Sequence, residues 1–144
     1  MMGTPKVGHS EAGRNVDAIM SPFQMVSGTE KVDSAMHVML EHGLNAILVE
    51  PNTEGEWGIM TKRDVLRKII VPNRRPGGMT VDEIANRYLI TCTRDTPLLQ
   101  VARQMMNNGI RRIVVMENNQ PLGIITEADL FRLVEQSGWG AATA

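Results

Sequence analysis

Two stretches of the chain carry apolar residues at helical spacing, and they match one another. Val32, Ala35, Met36, Met39 and Leu40 fall at i, i+3, i+4, i+7 and i+8, as do Leu98, Val101, Ala102, Met105 and Met106. This is the stripe of an amphipathic helix. Gly43 and Gly109 follow, where a helix can end in the left-handed conformation. Next come the β-favouring runs Ile47-Leu48-Val49 and Ile113-Val114-Val115. A polar turn separates each from Trp57-Gly58-Ile59-Met60 or Leu122-Gly123-Ile124-Ile125, which predicts two hairpins. Val65-Leu66-x-x-Ile69 and Leu130-Phe131-x-x-Val134 then give a second apolar stripe in each half, and short leading strands fit Met25-Val26-Ser27 and Leu89-Ile90-Thr91-Cys92. The expectation is an α+β fold built from two β-α-β-β-α units.

Self-similarity supports the same division. Gly58-Ile59-Met60-Thr61-Lys62-Arg63-Asp64 recurs as Gly123-Ile124-Ile125-Thr126-Glu127-Ala128-Asp129, an offset of 123 − 58 = 65 residues, whereas the helical stripes are 98 − 32 = 66 apart. The difference falls in the hairpin turn, where Pro51-Asn52-Thr53-Glu54-Gly55 is longer than Glu117-Asn118-Asn119-Gln120. Turns tolerate such insertions. Even the run-ins agree, Val16-Asp17-Ala18-Ile19 paralleling Val81-Asp82-Glu83-Ile84. The expected organisation is a flexible terminus over 1–13, a first repeat over 14–71, a proline- and glycine-rich linker over 72–79, a second repeat over 80–136 and a flexible end over 137–144.

Composition narrows the function. With 144 residues, a net charge of −1, 42% apolar and 3% aromatic residues, the chain has a core to bury and no bulk attraction to nucleic acid. Cys92 is the single cysteine, so there is no intrachain disulfide and no thiolate metal site. Met1 to Arg14 lacks the apolar core of a signal peptide and no segment reaches the length of a membrane span, which points to a soluble, cytoplasmic protein. His9, His37 and His42 form no metal set, and Cys92 has no recognisable activating base. No catalytic site, metal site or required cofactor is expected, and the methionines on the stripes read as adaptable core filling.

The string of glycine, apolar pair and Thr-x-x-Asp, present twice after an apolar helix, resembles the CBS domain, which occurs as tandem pairs called Bateman modules. The resemblance spans about residues 14–136. It implies repeats packed with pseudo-twofold symmetry, clefts that hold an adenosine-containing ligand (AMP, ADP, ATP, S-adenosylmethionine or a dinucleotide), and a regulatory role. Because the repeats use nearly all the residues, output is expected to reach a partner protein in trans. A homodimer is implied as well, with Val65, Leu66, Ile69, Ile70, Leu130, Phe131, Leu133 and Val134 as candidate contacts. The resemblance assigns nucleotide-binding roles to Thr61, Asp64, Thr126 and Asp129.

The residues themselves allow two readings of that motif. A helix start has unpaired N–H groups and a positive dipole end; a hydroxyl and a carboxylate there suit phosphate and ribose. The same Thr-x-x-acid spacing is also a capping box, in which both side chains satisfy the helix itself. Arg111 and Arg112 could clamp a diphosphate, while the first repeat has Asn45 and Ala46 instead, so the two clefts should differ. Lys62, Arg63, Arg67, Lys68, Arg74 and Arg75 read as a solvated basic face; phosphate, an acidic partner or RNA are alternatives, RNA being disfavoured by the near-zero charge and scarce aromatics. Two other functions stand beside the ligand-sensing one: a ligand-free dimerisation scaffold and a nucleotide-processing enzyme.

Overall fold

The structure is a computed structural model that describes residues 16–139; the expectations for 1–13, 140–144 and His9 lie outside these residues. The first repeat comprises β1 (Met25–Val26), α1 (Val32–Glu41), β2 (Ala46–Val49), β3 (Gly58–Thr61) and α2 (Lys62–Val65), the last continued by a π-helical stretch Leu66–Ile70. The second comprises β4 (Thr91–Cys92), α3 (Leu98–Asn108), β5 (Arg112–Glu117), β6 (Gln120–Thr126) and α4 (Glu127–Ser137). The fold is α+β with two three-stranded sheets, ordered β1-β2-β3 and β4-β5-β6. In each, the central strand pairs parallel to the leading strand and antiparallel to its hairpin mate. The parallel pair requires the crossover that α1 or α3 supplies.

Local chemistry explains the boundaries. Gly43 and Gly109 adopt φ of +63° and +61°, ending α1 and α3 as the stripes require. The second hairpin turns through Asn118 and Asn119 at φ +53° and +60°, the two positive values of a tight primed turn. In the longer first turn, Asn52 Oδ1 accepts from the amides of Glu54 and Glu56 at 3.0 and 2.9 Å. The linker also folds: Pro76–Gly78 form a 3₁₀ turn, and the Met79 carbonyl accepts the Val32 amide at 2.9 Å. Hydrogen bonds from the Thr80 amide and then its hydroxyl hold the exposed Glu83 carboxyl below its ordinary range.

The chain divides into two compact units, one of residues 23–89 and one of residues 16–22 with 90–139. The run-ins are therefore exchanged. Val81 and Ile84 lie in the core of Val32, Ala35, Met39, Ile47, Val49, Met60, Val65 and Ile69. Val16 lies in the other core, with Cys92, Leu98, Val101, Met105, Ile113, Val115 and Ile125. Behind each run-in the chain bridges a hairpin edge. Asn86 and Ile59 exchange backbone hydrogen bonds at 2.9 and 3.0 Å, as do Ser21 and Ile124 at 2.8 and 3.0 Å. This contact explains the repeated glycine: a Cβ at Gly58 would lie 3.2 Å from the Asn86 carbonyl oxygen, and one at Gly123 would lie 3.0 Å from that of Ser21.

The helical stripes are only partly inward. Leu40 and Met106, equivalent in the two repeats, are 80% and 77% exposed rather than core. In α2 and its π-helical continuation Val65 and Ile69 are buried, whereas Val134, the counterpart of Ile69, is 44% exposed. In α4 the partly buried pair is Leu130 and Leu133. The sequence difference is at the next position inward: Lys68 replaces Leu133, and its Nζ reaches the Ile84 carbonyl at 3.1 Å. Buried Val65 and Ile69 thus drop out as dimer contacts. Gly58→Ala and Gly123→Ala are each expected to cost about 1–3 kcal/mol through overpacking. Gly109→Ala should cost about 1–2 kcal/mol through its left-handed backbone. Urea denaturation checks all three.

Candidate functional site

Each strand-to-helix junction is the same structure built twice. Thr61 at the end of β3 has φ −114° and ψ 165°; Thr126 at the end of β6 has −115° and 164°. The Asp64 amide donates to Thr61 Oγ1 at 3.1 Å, while Asp64 Oδ2 accepts from the Thr61 amide at 2.8 Å and its hydroxyl at 3.0 Å. In the second copy the Asp129 amide donates to Thr126 Oγ1 at 3.1 Å, and Asp129 Oδ2 accepts from the Thr126 amide at 2.8 Å. Both are capping boxes. The first amide of each helix is also taken: Lys62 donates to the Asn45 carbonyl and Glu127 to that of Arg111, both at 3.0 Å. An incoming ligand would therefore meet side chains more than bare helix amides.

The cap consumes only one carboxylate oxygen. Asp64 is half-buried, and its Oδ2 alone serves the cap. Asp129 is 7% exposed, and its Oδ1 accepts from Arg132 Nη1 at 3.2 Å. Arg132 was not singled out in the sequence, although its i, i+3 spacing from Asp129 is the available signal.

The fold brings Arg111, Arg112, Thr126 and Asp129 together in one unit, because Arg112 pairs with Thr126 across the hairpin and the Arg111 carbonyl caps α4. Thr61 and Asp64 lie in the other unit, where Ala46 pairs with Thr61. Successive strand residues face opposite ways, and the arginines differ accordingly: Arg111 is exposed and Arg112 half-buried. Among the basic run, Lys62, Arg63, Arg67, Arg74 and Arg75 are exposed.

The remaining polar machinery is structural. Arg87, only 19% exposed in its side chain, pairs with Asp82 and donates to the Glu50 and Glu56 carbonyls at 2.7 and 2.6 Å, tying the second run-in to the first hairpin. Arg94 bridges Asp17 at 3.1 Å and Glu117 at 3.6 Å in the other unit. His37 lies 3.6 Å from Glu41 on an exposed helix face. Among the described residues no three His, Cys, Asp or Glu side chains gather to hold a metal, and no helix is long and apolar enough to cross a membrane.

These twin junctions can be set beside known proteins. The CBS domain family model matches residues 16–71 and again 81–136. The chain belongs to the CBS domain family. A CBS relative, the mitochondrial CBS domain-containing protein CBSX3 of Arabidopsis thaliana, is 34% identical over 73% of this chain and 53% of its own length. With uncharacterized protein MK0525 of Methanopyrus kandleri, where 55% is covered, it shows that the chain spans about half the length of these relatives. Among solved structures, an uncharacterized conserved protein from Pyrococcus horikoshii has TM-score 0.76 and 30% identity over 92% of this chain and 98% of that one. The CBS domain pair of protein MJ0100, in complex with 5′-methylthioadenosine and S-adenosyl-L-methionine, has TM-score 0.74 and 25% identity over 85% and 97%. CBS pairs are regulatory ligand-binding modules, and this chain has their two-repeat architecture.

Cys92 lies in β4 inside the second core, where burial pushes its thiol up to about 11. The folded value exceeds the ordinary one, so this group's stabilisation is complete below pH of about 8.5 and is lost as pH rises through about 11. A thiol-specific reagent at pH 8 is expected to leave the native protein unmodified and to react fully after denaturation.

Proposed function

We propose that the chain is a regulatory module that senses an adenosine-containing nucleotide at its Thr-x-x-Asp junctions and passes the state to a partner protein in trans, as a non-enzymatic homodimer. The observation that carries this reading is the division of labour within each carboxylate. Oδ2 of Asp64 and of Asp129 holds the cap, so Oδ1 can accept from a ribose hydroxyl without unmaking the helix start. Capping and binding are compatible roles of one side chain. At Asp129 the Arg132 contact shares Oδ1, but Arg132 is 58% exposed and can yield or share at little cost. Thr61 and Thr126 orient the carboxylates, and Arg111 and Arg112 supply charge for phosphates in the second repeat only. The adenosine compounds bound by the MJ0100 pair favour the same ligand class. The satisfied caps also suit a ligand-free scaffold, which titration separates from the sensing reading.

Asp64→Asn and Asp129→Asn keep a cap acceptor and remove the charge. They are expected to weaken adenosine-nucleotide binding in calorimetry by about 1.5–3 kcal/mol while stability changes by no more than about 1 kcal/mol. Stability loss with unchanged affinity would leave these residues as caps alone. Arg111→Ala and Arg112→Ala should weaken ADP and ATP relative to adenosine by a similar 1.5–3 kcal/mol or so each. One strong and one weaker polyphosphate site per chain are expected. Two equal sites indifferent to the arginine changes, or a panel of adenine compounds giving neither heat nor melting shift, would sink the reading.

A further inference from the structure

The helix that opens at each Thr-x-x-Asp junction carries an arginine three residues after its aspartate, Arg67 after Asp64 and Arg132 after Asp129, positions related by the repeat offset of 132 − 67 = 65. The two arginines behave differently. α4 is an unbroken α-helix over Glu127–Ser137, so positions i and i+3 are neighbours on its surface, and Arg132 Nη1 donates to Asp129 Oδ1 at 3.2 Å. In the first repeat the helix widens soon after Asp64 into the π-helical stretch Leu66–Ile70, which shifts the following positions around the axis. Arg67 is exposed there and enters no ion pair among the described residues. The next turn differs as well: Glu135 stands three residues beyond Arg132, where the first repeat has Ile70, since 135 − 65 = 70. Arg132 is thus flanked on its helix by a carboxylate one turn before and another one turn after, whereas Arg67 has only the first.

The two carboxylates around Arg132 are unlike. Asp129 is 7% exposed and commits Oδ2 to the cap, whereas Glu135 is exposed. A buried carboxylate needs partners for its charge, and a guanidinium on Oδ1 is one. Helical side chains lean toward the N-terminus, which directs Arg132 back to Asp129 and Glu135 back to Arg132. We infer that Arg132 is a displaceable guard of the second-repeat site: a ligand hydroxyl that takes Asp129 Oδ1 releases the guanidinium, and Glu135 receives it. One donor leaves Oδ1, another arrives, and the freed donor finds a new carboxylate, so no polar group is left without a partner. The Arg132 side chain is 58% exposed and swings without repacking the core. Arg132 is therefore a positioning residue that acts through Asp129, and the two junctions differ in access to the ribose-facing oxygen. Arg132 and Glu135 also line the groove between α3 and α4, beside Phe131 and Val134, so occupancy of the junction rearranges charge on that wall. This inference rests on the ribose role proposed for Asp129 and adds how that site is regulated.

The test is adenosine binding, by calorimetry, to the full chain carrying Asp64→Asn, which isolates the second-repeat site. Arg132→Gln in that chain is expected to raise affinity about two- to fivefold, the upper range for an exposed ion pair, and Glu135→Gln to lower it by a similar factor. The combined variant should match Arg132→Gln alone, because Glu135 acts only through the arginine. A merely structural role would instead lower stability and affinity together, and thermal melts without adenosine check that each variant is folded. Affinity that Arg132→Gln leaves unchanged or lowers overturns the guard, as does a Glu135→Gln loss that persists in the combined variant. Binding that Asp64→Asn abolishes and Arg132→Gln does not restore also overturns it, and leaves the first-repeat site standing. A wild-type chain giving neither adenosine heat nor a melting shift removes the nucleotide reading itself, which distinguishes that failure from the other three.

Discussion

Close backbone approach at two glycines organises the molecule. Gly58 and Gly123 lack the Cβ that would crowd the Asn86 and Ser21 carbonyls, and so the segment behind each run-in lies close against the hairpin and exchanges two hydrogen bonds with it. Each core depends on that docking. Val81 and Ile84 complete one core, and Val16 the other; all three are fully buried. The arginine ties, Arg87 to Asp82 and Arg94 to Asp17, fasten the same run-ins from their polar side. Fixed in this way, β3 and β6 deliver Thr61 and Thr126 with backbone angles that agree to within one degree.

At those threonines the demand of the helix start and the ligand-binding role we propose meet on one carboxylate. A helix beginning straight after a strand leaves amides that need acceptors, and the Thr-x-x-Asp box supplies them. The same requirement fixes the carboxylate's position and orientation, and with it the position of its second oxygen, which Arg132 contacts in Asp129. The two copies then diverge through their neighbours. Arg132 and the Arg111-Arg112 pair accompany Asp129, while Asn45 and Ala46 accompany the caps of the first repeat.

Much of this was legible in the sequence because it is local. The stripes, the two glycines at positive φ, the hairpins and the Thr-x-x-Asp boxes are all short-range patterns, and the doubled string carried the family resemblance. Long-range features were not legible. The matching run-ins at 16–19 and 81–84 announced equivalence, but nothing in their side chains says which hairpin receives them. Gly58 and Gly123 read in the sequence as motif residues, because the backbone that lies against each comes from outside its hairpin. Leu40 and Met106 fit a helical stripe by spacing yet face outward, since periodicity marks a face and not its edges. Lys68 escaped notice as a core-side residue because its charge suggested solvent, whereas its ammonium ends on the Ile84 carbonyl.

The exchange of run-ins also gives the chain a temporal order. The bridge between Ile59 and Asn86 closes a separation of 86 − 59 = 27 residues, and that between Ser21 and Ile124 closes 124 − 21 = 103. Loop closure makes the second about 1.2 kcal/mol more costly in entropy. During synthesis the unit of residues 23–89 has every part it needs once its last residue has emerged, whereas residues 16–22 must wait for a hairpin made about a hundred residues later. Until then Val16 has no core to enter. Within the described residues, the segment that precedes both units is thus docked only once the second hairpin has been made.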